Sequence, residues 1–94
     1  MSGWKQISNQ NSTIVQSNGQ FVKVLIYDKH TANAWATIGG TVPAGYRPSS
    51  DMAAFTTVQS SSTNKIYLTT NGTITTASSL SNTQVYANFI YPII

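Results

Sequence analysis

Cysteine is absent from this 94-residue chain, so neither a disulfide framework nor a thiolate metal site supplements whatever core it builds. Glutamate is absent too, and Asp28 and Asp51 are the only acids. A glycosidase needs two carboxylates flanking the scissile bond, and these two fall in different loops, where they read as turn acceptors. Charged residues make up 7% of the chain, against about 25% in an ordinary soluble domain. The five cations, Lys5, Lys23, Lys29, Arg47 and Lys65, are dispersed, whereas phosphate binding shows a basic patch or stripe. Nucleic acid is therefore not an expected partner, and the net charge of +3 reflects scarce acids. No apolar run is long enough for a membrane helix, and the opening MSGWKQ carries neither region of a signal peptide. Met1-Ser2-Gly3 reads as an excised start or a cloning remnant.

What is abundant is hydroxyl and amide: Ser, Thr and Asn account for 33 of the 94 residues. Length predicts one domain over residues 1–94, burying about 60 to 65% of its unfolded surface. Association with further copies is the common way to bury more. The chain reads as short strands at Trp4 to Ile7, Thr13 to Gln16, Phe21 to Tyr27, Trp35 to Ile38, Met52 to Gln59, Lys65 to Thr69, Thr73 to Thr76 and Gln84 to Ile94. Asn18-Gly19 and Asn71-Gly72 are hairpin signals, the first read as a type I′ turn because both residues tolerate positive φ. Asp28 to Asn33, Ser60 to Asn64 and Ala77 to Thr83 read as polar loops. In FVKVLIY, Val22, Val24 and Ile26 share one face and Phe21, Lys23, Leu25 and Tyr27 the other, so cover on both sides is expected, from a second sheet or another subunit. Seven or eight short strands without a helix predict an all-β antiparallel sandwich or barrel.

Regular pairing must stop between Gly39-Gly40 and Pro48. Pro43 and Pro48 fix φ and remove donors, and Gly45 permits positive φ. Tyr46 and Arg47 give this turn its side chains, Tyr46 to pack on the body and Arg47 to bond carbonyls or Asp51. No nucleophile, base or cation cluster accompanies it, so its expected role is structural. His30 near Asp28 offers at most two metal ligands, with no others signalled, and nothing marks a nucleophile. No catalytic residue, metal or cofactor is expected. Sugar binding needs an aromatic platform and a few planar polar groups. Asp28, His30, Asn33 and Trp35, close in sequence at a loop and strand end, are the candidate set, with Tyr86 and Tyr91 second. A tryptophan opening an apolar strand is nevertheless more often core than platform.

The order of segments is itself informative: an early Trp4 with Ile7, the strand FVKVLIY, a strand ending in Gly-Gly, then Thr41-Val42-Pro43-Ala44-Gly45-Tyr46-Arg47-Pro48, then KIYLTTNGTI and a closing aromatic strand. This order resembles the C-terminal head domain of tail-fibre and baseplate receptor-binding proteins from phages of Gram-positive bacteria, lactococcal ones among them. The resemblance covers nearly the whole chain, and PAGYRP is its most specific part. It implies a compact β-barrel or jelly-roll head, assembled as a homotrimer, that sits at the virion's tail tip beside other baseplate or fibre proteins. It further implies attachment to host cell-wall saccharide without chemistry, through an aromatic with Asp, His and Arg groups near the subunit boundary. Asp28, His30 and Trp35 rest on their chemistry and are not transferred from that family. No shoulder or neck segment is recognisable, so the expectation is an isolated head, a proteolytic or cloned fragment of a longer fibre protein, or a very small attachment module. The competing expectations are a trimerising cap of a fibre or baseplate without a receptor site, and a carbohydrate-binding module of a secreted protein.

Overall fold

A computed structural model describes residues 3–58 and 62–93, with side-chain surroundings given for all of these except 55–58 and 62–64. Expectations for Met1 and Ser2, for Gln59 to Ser61 and for Ile94 lie outside the described residues. Among those described there is no helix, and ten strands follow in order: β1 (Lys5–Gln10), β2 (Thr13–Ser17), β3 (Phe21–Ile26), β4 (Lys29–Ala32), β5 (Thr37–Ile38), β6 (Met52–Val58), β7 (Ser62–Leu68), β8 (Ile74–Thr76), β9 (Leu80–Gln84) and β10 (Ala87–Pro92). They form two four-stranded sheets, ordered β1-β2-β3-β10 and β5-β8-β7-β6, and a separate β4-β9 pair. Every pairing is antiparallel.

Period-two alternation turns one row of each strand inward. Val15, Val22, Val24, Ile26, Ala87, Phe89 and Tyr91 of the first sheet join Ile38, Ile66, Leu68 and Ile74 of the second in a single core. At about 1.5 to 3 kcal/mol per buried Val, Leu, Ile or Phe side chain, this cluster is the main favourable term of folding. Thr13, Ser17 and Thr76 are buried within it, and each is satisfied. Thr13 Oγ1, for instance, donates to the Asn11 carbonyl at 3.3 Å and accepts from Gly40 N at 2.8 Å.

Several expectations need correction. The segments expected as polar loops at 28–33 and 77–83 contain β4 and β9, which pair Lys29 with Gln84, His30 with Thr83 and Ala32 with Leu80. Strand Trp35 to Ile38 shrinks to Thr37–Ile38, because Asn33 to Ala36 form a turn closed by Ala36 N donating to Asn33 O. The loop expected up to Asn64 ends earlier, since β7 begins at Ser62. The type I′ backbone lies at Asn11-Ser12, with φ of 48° and 60°, between Gln10 and Thr13. At Asn18-Gly19 only the glycine is left-handed (φ 95°), at the first central position of the turn, the pattern of type II′. At Asn71-Gly72 the glycine again takes the positive φ (82°), following a turn in which Gly72 N donates to Thr69 O.

On β3, Val22, Val24 and Ile26 are fully buried, whereas on the opposite face Lys23, Leu25 and Tyr27 are half-buried and Phe21 is exposed. Phe21 is 42% exposed and Ile90, on the adjacent β10, 57%. The Lys23 ammonium stands 5.0 Å over the Trp4 ring on that side.

The Pro43 to Pro48 segment is tied to the sheets by a set of hydrogen bonds. Tyr46 N donates to Pro43 O across a turn whose third residue, Gly45, has φ of 94°. Arg47 Nε donates to Val42 O at 2.9 Å, Val42 N to Gly72 O at 2.8 Å, and the Tyr91 hydroxyl to Tyr46 O. Asp51 Oδ1 accepts from Thr70 N at 3.0 Å. A Cβ on Gly72 would lie 2.6 Å from Val42 O and 2.8 Å from Arg47 Nε, so this turn and the β7-β8 hairpin interlock.

Candidate functional site

The residue that stands out is Trp35. It is 64% exposed, and its φ is 64°. A bulky side chain in the left-handed region is an outlier that costs about 1 to 2 kcal/mol. The conformation is held by the Asn33 to Ala36 turn and by Trp35 N donating to Thr76 O at 2.6 Å, at the end of β8. Its indole stacks on Tyr67 of β7, ring centroids 5.5 Å apart and planes 29° from parallel. Trp35 is thus an exposed ring stacked on the outer face and not the core residue its strand-like context suggested.

Tyr67 reaches the platform by simple alternation. Its neighbours Ile66 and Leu68 are fully buried, so its ring lies on the outer face of the second sheet. The register aligns Thr37, Thr75, Tyr67 and Ala53 in one row across that face. The surface is therefore two rings edged by threonine hydroxyls. The expectation named Tyr86 and Tyr91 instead. Tyr86 is exposed, but Tyr91 is buried, which pushes its phenol up to about 12. The signal for Tyr67 was present in KIYLT, where a tyrosine sits between two apolar residues of the opposite parity.

The other candidates fall elsewhere. His30, on β4, is half-buried, with Nε2 2.8 Å from Tyr27 O. A carbonyl only accepts, so Nε2 carries the proton and, in the neutral ring, Nδ1 is an acceptor. Asp28 is exposed in the left-handed region (φ 75°), its carboxylate accepting from Lys29 N at 2.8 Å and its carbonyl from Val85 N at 2.9 Å. Asn33 is exposed at the start of the Trp35 turn. His30 lines a polar cleft of about 350 Å³ with Asn11, Ser12, Lys29, Thr31 and Thr37, whereas Asp28 and Asn33 do not. Asp28, His30, Asn33 and Trp35 therefore divide between two places, a platform and a cleft.

Among the described residues no three His, Cys, Asp or Glu side chains converge as metal ligands. No described helix is long and apolar enough to cross a membrane. A larger hollow, about 590 Å³, lies at Trp4, Ile7, Tyr46 and Ile93. No protein-family model matches the chain, and no curated protein matches it in sequence.

Proposed function

We propose that the chain is a non-catalytic carbohydrate-binding head of a phage receptor-binding protein, which attaches a virion to the wall saccharide of a Gram-positive host. In this reading it is a homotrimeric β-barrel at the tail tip, joined to other baseplate or fibre proteins and acting outside the host cell. The observation that carries it is the Trp35-Tyr67 stack: a tryptophan largely open to solvent, held at a backbone angle its side chain disfavours. Strain of that kind persists only where the surrounding structure imposes it, and it clusters at ligand sites. A broad ring bordered by the hydroxyls of Thr37 and Thr75 suits the apolar face and equatorial hydroxyls of a pyranose. The sequence resemblance supplies the biological setting, and the all-β fold agrees with it.

The test is binding of the purified protein to Gram-positive cell walls and to the polysaccharide released from them. Wild type retained on walls and Trp35→Ala washed off, with unchanged folding and sedimentation, supports the reading. Equal retention of both rejects the platform. A trimerising cap is the second reading, favoured by the exposed apolar side chains of Phe21, Ile90 and Trp4 at the first sheet. A trimer in sedimentation that gives no signal with saturating polysaccharide selects the cap.

A further inference from the structure

The platform and the cleft share a residue. Thr37 lines the cleft, and the register also places it in the outer row with Thr75 and Tyr67. Strands lie about 4.8 Å apart, so two steps along that row carry the surface roughly 10 Å from the ring of Tyr67 to the mouth of the cleft. That distance exceeds one sugar ring and suits linked rings. Resting on the saccharide reading above, we infer that platform and cleft form one elongated site that takes a linear oligosaccharide of two or more rings. One ring stacks on Trp35, the chain passes over Thr75 and Thr37, and the next ring enters the cleft.

The chemistry of the two ends is complementary. The platform offers aromatic surface with few polar groups of its own. The cleft offers the Asn11 amide, the Ser12, Thr31 and Thr37 hydroxyls, the Lys29 ammonium and the His30 ring. With His30 Nε2 engaged by Tyr27 O, its Nδ1 is left to accept from a sugar hydroxyl, while Lys29 and Asn11 supply donors. Cleft groups of this kind reward hydroxyls and penalise apolar ligands, since any polar group left unpaired on burial costs free energy.

The wall of the cleft is set by backbone. Gly39 has φ of 69°, and a Cβ there would meet Thr13 Oγ1 and Ile26 Cδ1. A Cβ on Gly40 would lie 2.8 Å from Gln10 O. The glycine pair therefore packs against the β1-β2 turn, whose left-handed Asn11 and Ser12 line the cleft with Gly39, and Gly40 N donating to Thr13 Oγ1 ties the two together. A cleft built in this way needs little ordering when a ligand arrives, which favours affinity.

The experiment uses Gram-positive wall polysaccharide, partially hydrolysed and separated into fractions of one, two, three and four rings, titrated calorimetrically into the intact protein. Affinity is expected to rise at least tenfold from one ring to three and then to level off. Ser12→Ala, which removes a hydroxyl of the cleft away from the platform row, and Lys29→Met should each weaken the three-ring fraction about fivefold, the loss of one hydrogen bond. Both should leave the one-ring fraction unchanged, and their thermal melts show whether folding is intact. Trp35→Ala should weaken every fraction. Equal affinity for one and three rings, or cleft variants that weaken all fractions alike, overturns the elongated site while leaving saccharide binding standing. Failure of the unhydrolysed polysaccharide to bind overturns the functional proposal itself.

Discussion

Trp35 is where stability and binding should separate, and three residues at that position expose the separation. Trp35→Ala keeps a Cβ in the left-handed region (φ 64°) and loses the stack on Tyr67. An aromatic pair contributes about 0.5 to 1.5 kcal/mol beyond its buried area, and with 64% of the residue exposed little burial is lost in addition. The alanine variant should therefore be less stable by about 1 kcal/mol, a fall in Tm of about 4 to 8 °C for a domain of this size. Trp35→Gly loses the same stack but escapes a left-handed cost of about 1 to 2 kcal/mol, less about 0.5 to 1 kcal/mol for the greater freedom of unfolded glycine. It should match or approach wild-type stability and exceed the alanine variant. Both variants should lose saccharide binding. Urea denaturation gives the stabilities, and retention on cell walls gives the function. An alanine variant as stable as the glycine variant would show that the backbone at Trp35 is unstrained, and a glycine variant that still binds would remove the platform.

Three further expectations follow from the Pro43 to Pro48 turn and its contacts with Val42, Gly72 and Tyr91. Gly72→Ala places a Cβ against Val42 O in a left-handed residue and should cost about 2 kcal/mol or more, read by denaturant midpoint. Arg47→Ala removes the Nε bond to Val42 O and should lower stability by about 1 kcal/mol, leaving polysaccharide affinity unchanged because Arg47 touches neither platform nor cleft. Burial raises the Tyr91 phenol from 10.0 to about 12, so its contribution to stability is complete below pH 10 and is lost as pH rises toward 12. Tyr91→Phe, compared with wild type by urea midpoint across that window, should flatten this part of the alkaline loss.

The sequence made the core legible because the core obeys alternation. Val22, Val24 and Ile26, and Ala87, Phe89 and Tyr91, are buried in the rows their parity implies. The Pro43 to Pro48 turn was legible because proline and glycine restrict backbone directly. The β4-β9 pair was not. Only Leu80 of it is buried, so neither KHTA nor LSNTQ carries an apolar rhythm, and their pairing joins residues distant in sequence. Gly39-Gly40 was seen as a break in pairing, but the reason for Gly40, contact with Gln10 O, arises only when β1 arrives beside it. Half of the candidate site was visible as Trp35 and His30. That they belong to different parts of one surface depends on the Thr37-Thr75-Tyr67 register, which no local pattern encodes.

The central claim concerns one of only two indoles in the chain, Trp4 and Trp35. Their Nε1–H groups give two resonances in a ¹H-¹⁵N spectrum, assigned with Trp4→Phe. Titration with purified Gram-positive wall polysaccharide should shift the Trp35 indole saturably and leave that of Trp4 in place. A spectrum in which neither moves at saturating polysaccharide, or in which Trp4 alone moves, contradicts the platform.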